Sequence, residues 1–142
     1  MKKTPKTCRA DQLALKFLRA ATQIQGALDA DLAPFDLSMQ QLKVLSILAD
    51  CEGRRSNVGH IKSQMNDPNS NVSRLLNKLM DKHLIEKKRD VDDQRVVHIQ
   101  LTGAGLSALK KGKSVMDQHF AKFDQLSPAQ AKTLEEVLAL LR

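Results

Sequence analysis

Apolar residues in the first third of the chain recur with the spacing of an α-helix. From Asp11 to about Ala33 this pattern predicts one long helix. Pro34 ends it, because proline disfavours helical backbone in the residue that precedes it. The residues that form the apolar face are Leu13, Phe17, Leu18, Ala21, Ile24 and Leu28.

Two shorter helices are predicted next. Ser38 and Gln41 have the spacing of a capping box, in which each side chain satisfies a free backbone N–H of the first helical turn. The second helix then buries Leu42, Leu45 and Leu48. After Gly53 a short link, which can form a brief strand, leads to a third helix from about residue 58 to residue 65. The inward positions of this helix are Val58, Ile61 and Met65.

The fourth helix has the clearest pattern in the sequence. Its apolar residues fall at i, i+3, i+4, i+7 and i+8, and they are Val72, Leu75, Leu76, Leu79 and Met80. A rotation of about 100° per residue places a polar face on the opposite side. That face consists of Ser70, Arg74, Asn77 and Asp81, flanked by Asn71 and Lys78. Asp67 is the predicted cap of this helix and Pro68 its first residue, because proline lacks an N–H that would be unpaired there.

The charged stretch KKRDVDDQR, residues 87–95, connects two predicted β-strands, LIEKK and VVHIQL. Beyond Thr102 the chain returns to helix. The apolar face of this fifth helix comprises Leu106, Leu109, Met116, Phe120 and Phe123. A second capping box, SPAQ at residues 127–130, opens a last helix. The apolar residues of the last helix are Leu134, Val137, Leu138 and Leu141.

Two short helices with a hairpin directly after the second describe a winged helix-turn-helix. The chain is therefore predicted to be mainly α with a small β-hairpin wing. We divide it into an N-terminal dimerisation helix (residues 1–36), the winged helix-turn-helix (residues 37–102) and C-terminal dimerisation helices (residues 103–142), in one compact unit. Dimerisation is expected because the winged segment is too small to cover both apolar faces of outer helices about 30 Å long.

Charge and aromatic content narrow the class of partner. The net charge of +7 favours a polyanion. The chain has no Trp and no Tyr, and its four Phe lie outside residues 37–101. Proteins that bind RNA or single strands stack bases on aromatic side chains among basic residues, so this middle segment fits duplex DNA better.

Several other classes of protein lack support in the sequence. The basic start has no apolar segment typical of a secretion signal, and no apolar run approaches the roughly eighteen residues of a membrane span, so we expect a cytoplasmic protein with no membrane partner. No GxSxG, Walker loop, GxGxxG or placed carboxylate pair is present. We therefore expect no enzyme and no cofactor.

Metal and redox chemistry are the less favoured interpretations of several residues. The four histidines show neither HxxxH nor HExxH spacing. A site on Asp90, Asp92 and Asp93 lacks the regular spacing of an EF-hand, and one on Cys51 with His60 remains an alternative. For Cys8, which lies among basic residues, an inert thiol is favoured over an oxidant sensor.

Four stretches resemble the MarR family of bacterial transcriptional regulators: LSMQQLKVLSILAD, NSNVSRLLNKLMDKHLI, RDVDDQRVVHIQLT with the following GAG, and LSPAQAKTLEEVLALLR. They occur in the family's order over residues 37–142. The hairpin is the most specific of them, with an acid, any residue, Arg and then a strand ending in Leu-Thr. The resemblance implies a homodimer that binds pseudo-palindromic duplex DNA, often as a repressor released by a small-molecule effector.

By this resemblance the fourth helix is the recognition helix, and it offers Ser70, Asn71, Ser73, Arg74 and Asn77 to the major groove, with Lys78 beside them. Arg95 resembles the wing-tip arginine that enters the minor groove, and Asp93 the acid that holds the wing or that arginine. Arginine and asparagine are residue types that contact guanine and adenine edges, and arginine also suits a narrow minor groove. The basic residues expected to neutralise phosphates at the base of the wing are Lys87, Lys88 and Arg89.

One position departs from the family. His83 stands where the family commonly has Gly because the backbone turns left-handed, so either His83 adopts positive φ at some cost or the turn differs. The family's effector site lies between the winged domain and the dimer helices. The candidate pocket residues there are Phe17, Phe35 and Met39.

Two rival functions remain open. One is a DNA-binding regulator that responds directly to redox state or to a metal. The other is a winged-helix protein–protein adaptor that does not bind specific DNA and whose basic surface is incidental.

Overall fold

The computed structural model describes residues 6–65 and 71–142, with side chains from residue 9 onward. Within these ranges the chain forms six α-helices and three strands. They are α1 (Lys6–Leu32), α2 (Met39–Asp50), β1 (Arg55–Ser56), α3 (Val58–Gln64), α4 (Val72–Asp81), β2 (Ile85–Arg89), β3 (Val97–Leu101), α5 (Gly103–Phe120) and α6 (Pro128–Leu140). Short 3-10 turns occupy Ala33–Phe35, Glu52–Arg54 and Ala121–Gln125. The predicted order is confirmed, and the link after Gly53 does contain a brief strand.

Both predicted capping boxes are present. Ser38 Oγ accepts the N–H of Gln41 at 3.2 Å, and Gln41 Oε1 accepts the N–H of Ser38 at 3.3 Å. The corresponding distances between Ser127 and Gln130 are 3.2 and 2.9 Å. These reciprocal bonds define where α2 and α6 begin, because they satisfy backbone donors that have no partner inside the helix.

The cap of α4 is Asn71. Its Oδ1 accepts the N–H of Arg74 at 3.0 Å, and the helix begins at Val72. The cap predicted at Asp67 and Pro68 lies outside the described residues. An asparagine assigned to a polar DNA-facing surface thus also has a local structural role.

The core lies between α2, α3, α4 and the sheet. Core residues with no exposed surface are Leu32, Val44, Leu45, Leu48, Ile61, Leu79 and Ile99. The apolar stripe of α4 packs into this core as predicted. Val58, predicted to point inward, is instead 39% exposed. It is the first residue of the short helix α3, so its side chain lies at the edge of the core rather than over it.

The three strands form an antiparallel sheet in the order β1-β3-β2. In the hairpin, Ile85 pairs with Leu101 and Lys87 pairs with Ile99. Because side chains alternate across a strand, this register places Ile85, Ile99 and Leu101 on the face that is buried against the helices. We call β2, β3 and the loop between them the wing, and residues 90–96 the wing loop.

His83, which stands where the family commonly has glycine, adopts the left-handed conformation at the turn before the wing. Its φ is 58°, so the left-handed turn is retained without glycine. The N–H of His83 donates to Met80 O at 2.9 Å and that of Leu84 to Leu79 O at 3.0 Å, the two bonds of a Schellman motif. Thr102 Oγ1 donates to the carbonyl oxygens of His83 and Leu84 at 2.8 and 2.9 Å. Thr102, the residue that directly follows β3, therefore helps to fix this turn.

Gly105 allows α5 to begin directly beside that turn. A Cβ at this position would lie 2.0 Å from Leu84 O and 2.7 Å from a methyl group of Leu101. Only glycine permits this close approach between the start of α5 and the wing, which accounts for the second glycine of the GAG sequence.

The outer helices leave apolar surface uncovered in the single chain. α1 begins at Lys6, five residues before the predicted start at Asp11. Leu28 and Leu32 near its end are buried. The large apolar side chains that remain exposed on α1 and near the C-terminus are Leu13, Leu15, Phe17, Leu18, Val137, Leu138, Leu140 and Leu141.

Phe123 does not lie on α5 as predicted. The helix ends at Phe120, and Phe123 occupies the following 3-10 turn, where it is 46% exposed. Its ring meets that of Phe120 edge-on, with centroids 6.5 Å apart. None of the helices within residues 6–65 and 71–142 is long and apolar enough to span a membrane.

Candidate nucleic-acid interface

The polar face of α4 is open to solvent. Its described residues Ser73, Arg74, Asn77 and Lys78 are all exposed. Asn71 is exposed too, but its Oδ1 is engaged in capping, so its amide N–H₂ is the group left for a ligand. Among the described residues no carboxylate forms an ion pair with Arg74. Asp81, the acidic residue at the end of this face, is also exposed, and Ser70 lies outside the described residues.

The end of α4 is tied to the turn between α1 and α2. Lys82 Nζ donates to the main-chain oxygen of Asp36 and lies 3.3 Å from the carboxylate of the same residue. It also donates to Gln41 Oε1 at 3.1 Å. Gln41 is buried and belongs to the capping box of α2. We call this contact the Lys82 clamp. No sequence pattern indicated it, because its partners lie 41 and 46 residues away along the chain.

The basic residues of β2 lie on different faces of the sheet. Lys87 and Arg89 come two and four residues after Ile85. Their side chains therefore project on the same face as that of Ile85, which is the face that carries the helices. Lys88 projects on the opposite face, where its Nζ pairs with Glu86 Oε1 at 3.0 Å. All three cations are exposed. The positive charge of Lys88 is thus partly offset, whereas Lys87 and Arg89 have no carboxylate partner among the described residues.

Asp93 holds the wing loop through the backbone of Arg95. Its Oδ1 accepts the Arg95 N–H at 3.0 Å, and its carbonyl oxygen accepts the N–H of Val96 at 3.0 Å. The guanidinium of Arg95 forms no ion pair with a described residue. The structure therefore brings Asp93 to the arginine's main chain and leaves the charged end of the side chain exposed.

Asp90 and His98 form a second contact in the wing. Asp90 Oδ2 lies 3.0 Å from His98 Nε2, and Asp90 Oδ1 accepts the N–H of Asp92 at 2.9 Å. The hydrogen bond from the Asp92 N–H, followed by the one from His98, lowers the pKa of Asp90 below its ordinary value. The contact between His98 and Asp90 was not predictable from residue spacing, because the register that brings the two side chains together appears only once the strands are paired.

The three candidate pocket residues lie in different surroundings. Phe35 lines a cleft of about 510 Å³ with Asp31, Pro34, Lys111, Ser114, Val115 and Gln118. Phe17 is 43% exposed on α1, and Met39 is held at the start of α2, where its N–H donates to Asp29 Oδ1 at 3.1 Å. A second cleft of about 530 Å³ lies between α1, α5 and α6 and includes Ile24, Phe123 and Leu134.

The candidate metal and redox residues are dispersed. Within the described part of the chain no group of three or more His, Cys, Asp or Glu is placed to hold a metal ion. Cys51 is a half-buried free thiol at the end of α2. The side chain of Cys8 lies outside the described side chains.

Comparison with known proteins connects this arrangement to transcriptional regulators. A family model described as transcriptional regulator SarA/Rot matches residues 32–118, more than half of the chain. No curated protein matches the sequence.

Solved structures share the fold. AbsC, a MarR family regulator from Streptomyces coelicolor, is 23% identical with a TM-score of 0.78, and the match covers 99% of this chain and 95% of AbsC. Sco3205, a MarR family regulator from the same organism in complex with DNA, is 21% identical with a TM-score of 0.81, over 99% and 89% of the two chains. CouR from Rhodococcus jostii, bound to p-coumaroyl-CoA, is 21% identical with a TM-score of 0.74, over 91% and 90%. These likenesses confirm the predicted winged-helix fold.

Proposed function

Because the chain belongs to the SarA/Rot family of transcriptional regulators, we propose that α4 and the wing are its duplex-DNA-binding elements. The observation that carries this proposal is an exposed polar helix face followed directly by a basic hairpin. A major groove about 12 Å wide admits one helix, and Arg74 and Asn77 are residue types that bind guanine and adenine edges there. The exposed guanidinium of Arg95 suits the negative potential of a narrow minor groove.

The basic residues of β2 divide according to the face on which they lie. Lys87 and Arg89 project toward the helical side of the sheet, so we expect them to contact phosphates between the two grooves. Lys88 lies on the outer face beside Glu86 and contributes less. Asp93 orients the wing by holding the Arg95 main chain.

The DNA-binding form is proposed to be a homodimer on a pseudo-palindromic operator. A two-fold axis would present the two α4 helices to half-sites about 34–36 Å apart, one turn of the duplex. The exposed apolar residues of α1 and α6 support this assembly, because a partner chain would remove them from water. Residues 1–36 and 103–142 then serve dimerisation, and residues 37–102 bind DNA.

Regulation is proposed to be repression that a small molecule relieves. The cleft beside Phe35 has a volume of about 510 Å³, within the range of small-molecule sites. Phe35 immediately precedes Asp36, the partner of Lys82 in the clamp that ends α4. A ligand packed against Phe35 would therefore act one residue away from a contact that fixes α4. The fold neighbour CouR, with its bound p-coumaroyl-CoA, is consistent with a ligand-binding fold.

The same proposal places the protein in the cytoplasm, where its DNA is accessible, and assigns it no catalytic activity and no cofactor. Membership of a family of regulators supports this assignment.

The experiment is DNA binding to genomic fragments, including the region upstream of the protein's own gene, across a salt series. We expect sequence-selective binding whose affinity falls steeply with salt, because phosphate contacts release counterions. Arg95→Ala is expected to weaken binding about tenfold, the loss of one groove contact, with the fold and dimer intact. Arg142→Ala, which removes the same charge far along the chain from the wing, is the matched control.

Weak, non-selective binding at every salt concentration would overturn the proposal in favour of the protein–protein adaptor. Repeating the assay on reduced, metal-stripped protein tests the redox- or metal-responsive regulator, which predicts that affinity changes with the treatment. Unfolding of Arg95→Ala, detected by circular dichroism, would remove the support for a DNA contact by this residue.

A further inference from the structure

A pair of side chains, Asp90 and His98, joins the two ends of the wing loop. Neither residue is among the proposed DNA contacts. Asp90 opens the loop, and His98 lies on β3 just beyond its end. Their Oδ2 and Nε2 atoms are 3.0 Å apart, and the side chains are only 26% and 22% exposed. The other oxygen of the carboxylate, Oδ1, accepts the N–H of Asp92 at 2.9 Å. One carboxylate thus joins β3 to the first turn of the loop.

Main-chain hydrogen bonds continue this connection to Arg95. The N–H of Asp90 donates to Val96 O at 2.9 Å, and the N–H of Val96 donates to Asp93 O at 3.0 Å. Asp93 Oδ1 in turn accepts the N–H of Arg95 at 3.0 Å. A rotation of the Asp90 side chain away from His98 would remove the carboxylate's ties to β3 and to the first turn of the loop, and would leave these bonds alone to hold the arginine.

Of the described basic side chains near Asp90, His98 is the one that lies within hydrogen-bonding distance of its carboxylate. Lys88, its partner across the hairpin, is engaged by Glu86 at 3.0 Å. Glu52 and Arg55 line the polar cleft beside the imidazole ring, together with Gln100. Neither Lys88 nor Arg55 forms an ion pair with Asp90 among the described contacts. The Asp90 side chain is 26% exposed, and its carboxylate accepts hydrogen bonds from the His98 ring and from the Asp92 N–H.

We propose that Asp90 and His98 form a latch that positions Arg95, which makes His98 a positioning residue for DNA binding. The inference rests on the proposed contact between the wing and DNA. Loss of the latch acts through Arg95: the loop loses its fixed course, so the guanidinium is no longer held in one position for the minor groove.

The test is a double-mutant cycle between His98 and Arg95, read as DNA affinity at one pH and one salt concentration. His98→Leu is expected to weaken binding about tenfold. His98→Gln is expected to retain most of the affinity, because its carboxamide N–H can still donate to Asp90. In the Arg95→Ala background, His98→Leu is expected to cost much less, since no arginine remains to be positioned.

Hydrogen exchange of the free protein supplies a readout that does not depend on DNA. The Arg95 and Val96 amides are expected to exchange faster in His98→Leu than in the wild type, and His98→Gln is expected to restore their protection. Circular dichroism and thermal melting show whether each variant is folded at the assay temperature. A variant that merely lost stability would exchange faster throughout the core as well.

The possible failures are distinct. If Arg95→Ala alone has no effect on affinity, the proposed wing contact is wrong, and the latch has no DNA-binding role. If Arg95→Ala weakens binding but the losses in the cycle add, the DNA-binding proposal survives and the latch does not. Unchanged exchange at Arg95 in His98→Leu, or a His98→Gln variant as weak as His98→Leu, would also overturn the latch.

Discussion

Neighbouring lysines in the wing differ in how available their charges are to a ligand, because their surroundings differ. Lys87 and Lys88 are adjacent in sequence and equal in charge, yet they project on opposite faces of β2. Lys88 already pairs with Glu86. On the proposed function, a count of basic residues would therefore overstate the number of phosphate contacts that this hairpin can make, because face and pairing decide which lysine is free to contribute.

Replacing these two lysines separately tests that difference. Lys87→Ala is expected to weaken binding to all DNA sequences alike and to make the slope of log affinity against log salt shallower by about one, as for one phosphate contact. Lys88→Ala, a matched removal of one exposed charge, is expected to change the slope less. Equal slopes for the two variants, measured by fluorescence anisotropy, would contradict the assigned faces.

The carboxyl group of Asp90 makes the wing sensitive to acid. The Asp92 N–H and His98 lower the pKa of Asp90 in the folded chain, so the ionised form stabilises the fold at pH values above the unfolded pKa of about 3.9. That contribution is lost as pH falls through the lower, folded pKa. We expect an NMR titration of the Asp90 side chain to have its midpoint below the ordinary aspartate value. In His98→Leu the midpoint should move upward, and an unchanged midpoint would rule out the assigned cause.

The turn between α4 and β2 determines how the wing is placed relative to α4. His83 stands at positive φ within a Schellman motif, and Thr102 Oγ1 donates to the carbonyl oxygens of His83 and of Leu84, the next residue. The chain thereby fixes the angle between α4 and the wing without the glycine that such turns favour. The cost of this choice is backbone strain at one residue.

Removing that strain should stabilise the protein. His83→Gly is expected to raise the free energy of unfolding by about 1 kcal/mol, because glycine adopts the left-handed region without a Cβ clash. His83→Ala keeps the Cβ and serves as the control, with no gain expected. Chemical denaturation of both variants measures the difference. A glycine variant no more stable than the alanine variant would mean that the turn is not strained.

Features that depend on a few consecutive residues were predictable from the sequence. The stripe of α4 and the boxes at Ser38 and Ser127 are local patterns, and the structure confirms them. The Lys82 clamp and the Asp90–His98 pair were not predicted, because they depend on how separate elements pack. Periodicity also failed at helix ends: Val58 is exposed at the first residue of α3, and Phe123 is exposed because α5 ends at Phe120, before reaching it.

The single chain combines a buried core with an apolar exterior on its outer helices. Leu13 and Leu18 of α1 are 68% and 58% exposed, and Leu140 and Leu141 at the C-terminus are 84% and 65% exposed. The exposed leucines of the outer helices thus lie in the segments assigned to dimerisation, and the proposed DNA contacts lie in α4 and the wing. Because an operator with two half-sites engages both subunits, we expect dimer formation and DNA affinity to be coupled.

A charge placed on this apolar surface tests the coupling. Leu18→Glu is expected to shift the protein from dimer to monomer in analytical ultracentrifugation, because dimerisation would bury an unpaired carboxylate. Gln23→Glu adds the same charge at an exposed position about 140° around the same helix from Leu18 and should leave the dimer intact. A monomer holds only one half-site and loses the gain from joining two binding events, so its operator affinity should fall by a factor of about 100 or more. A Leu18→Glu protein that remains dimeric would exclude this part of α1 from the interface. A monomer with undiminished affinity would show instead that each winged unit binds DNA independently.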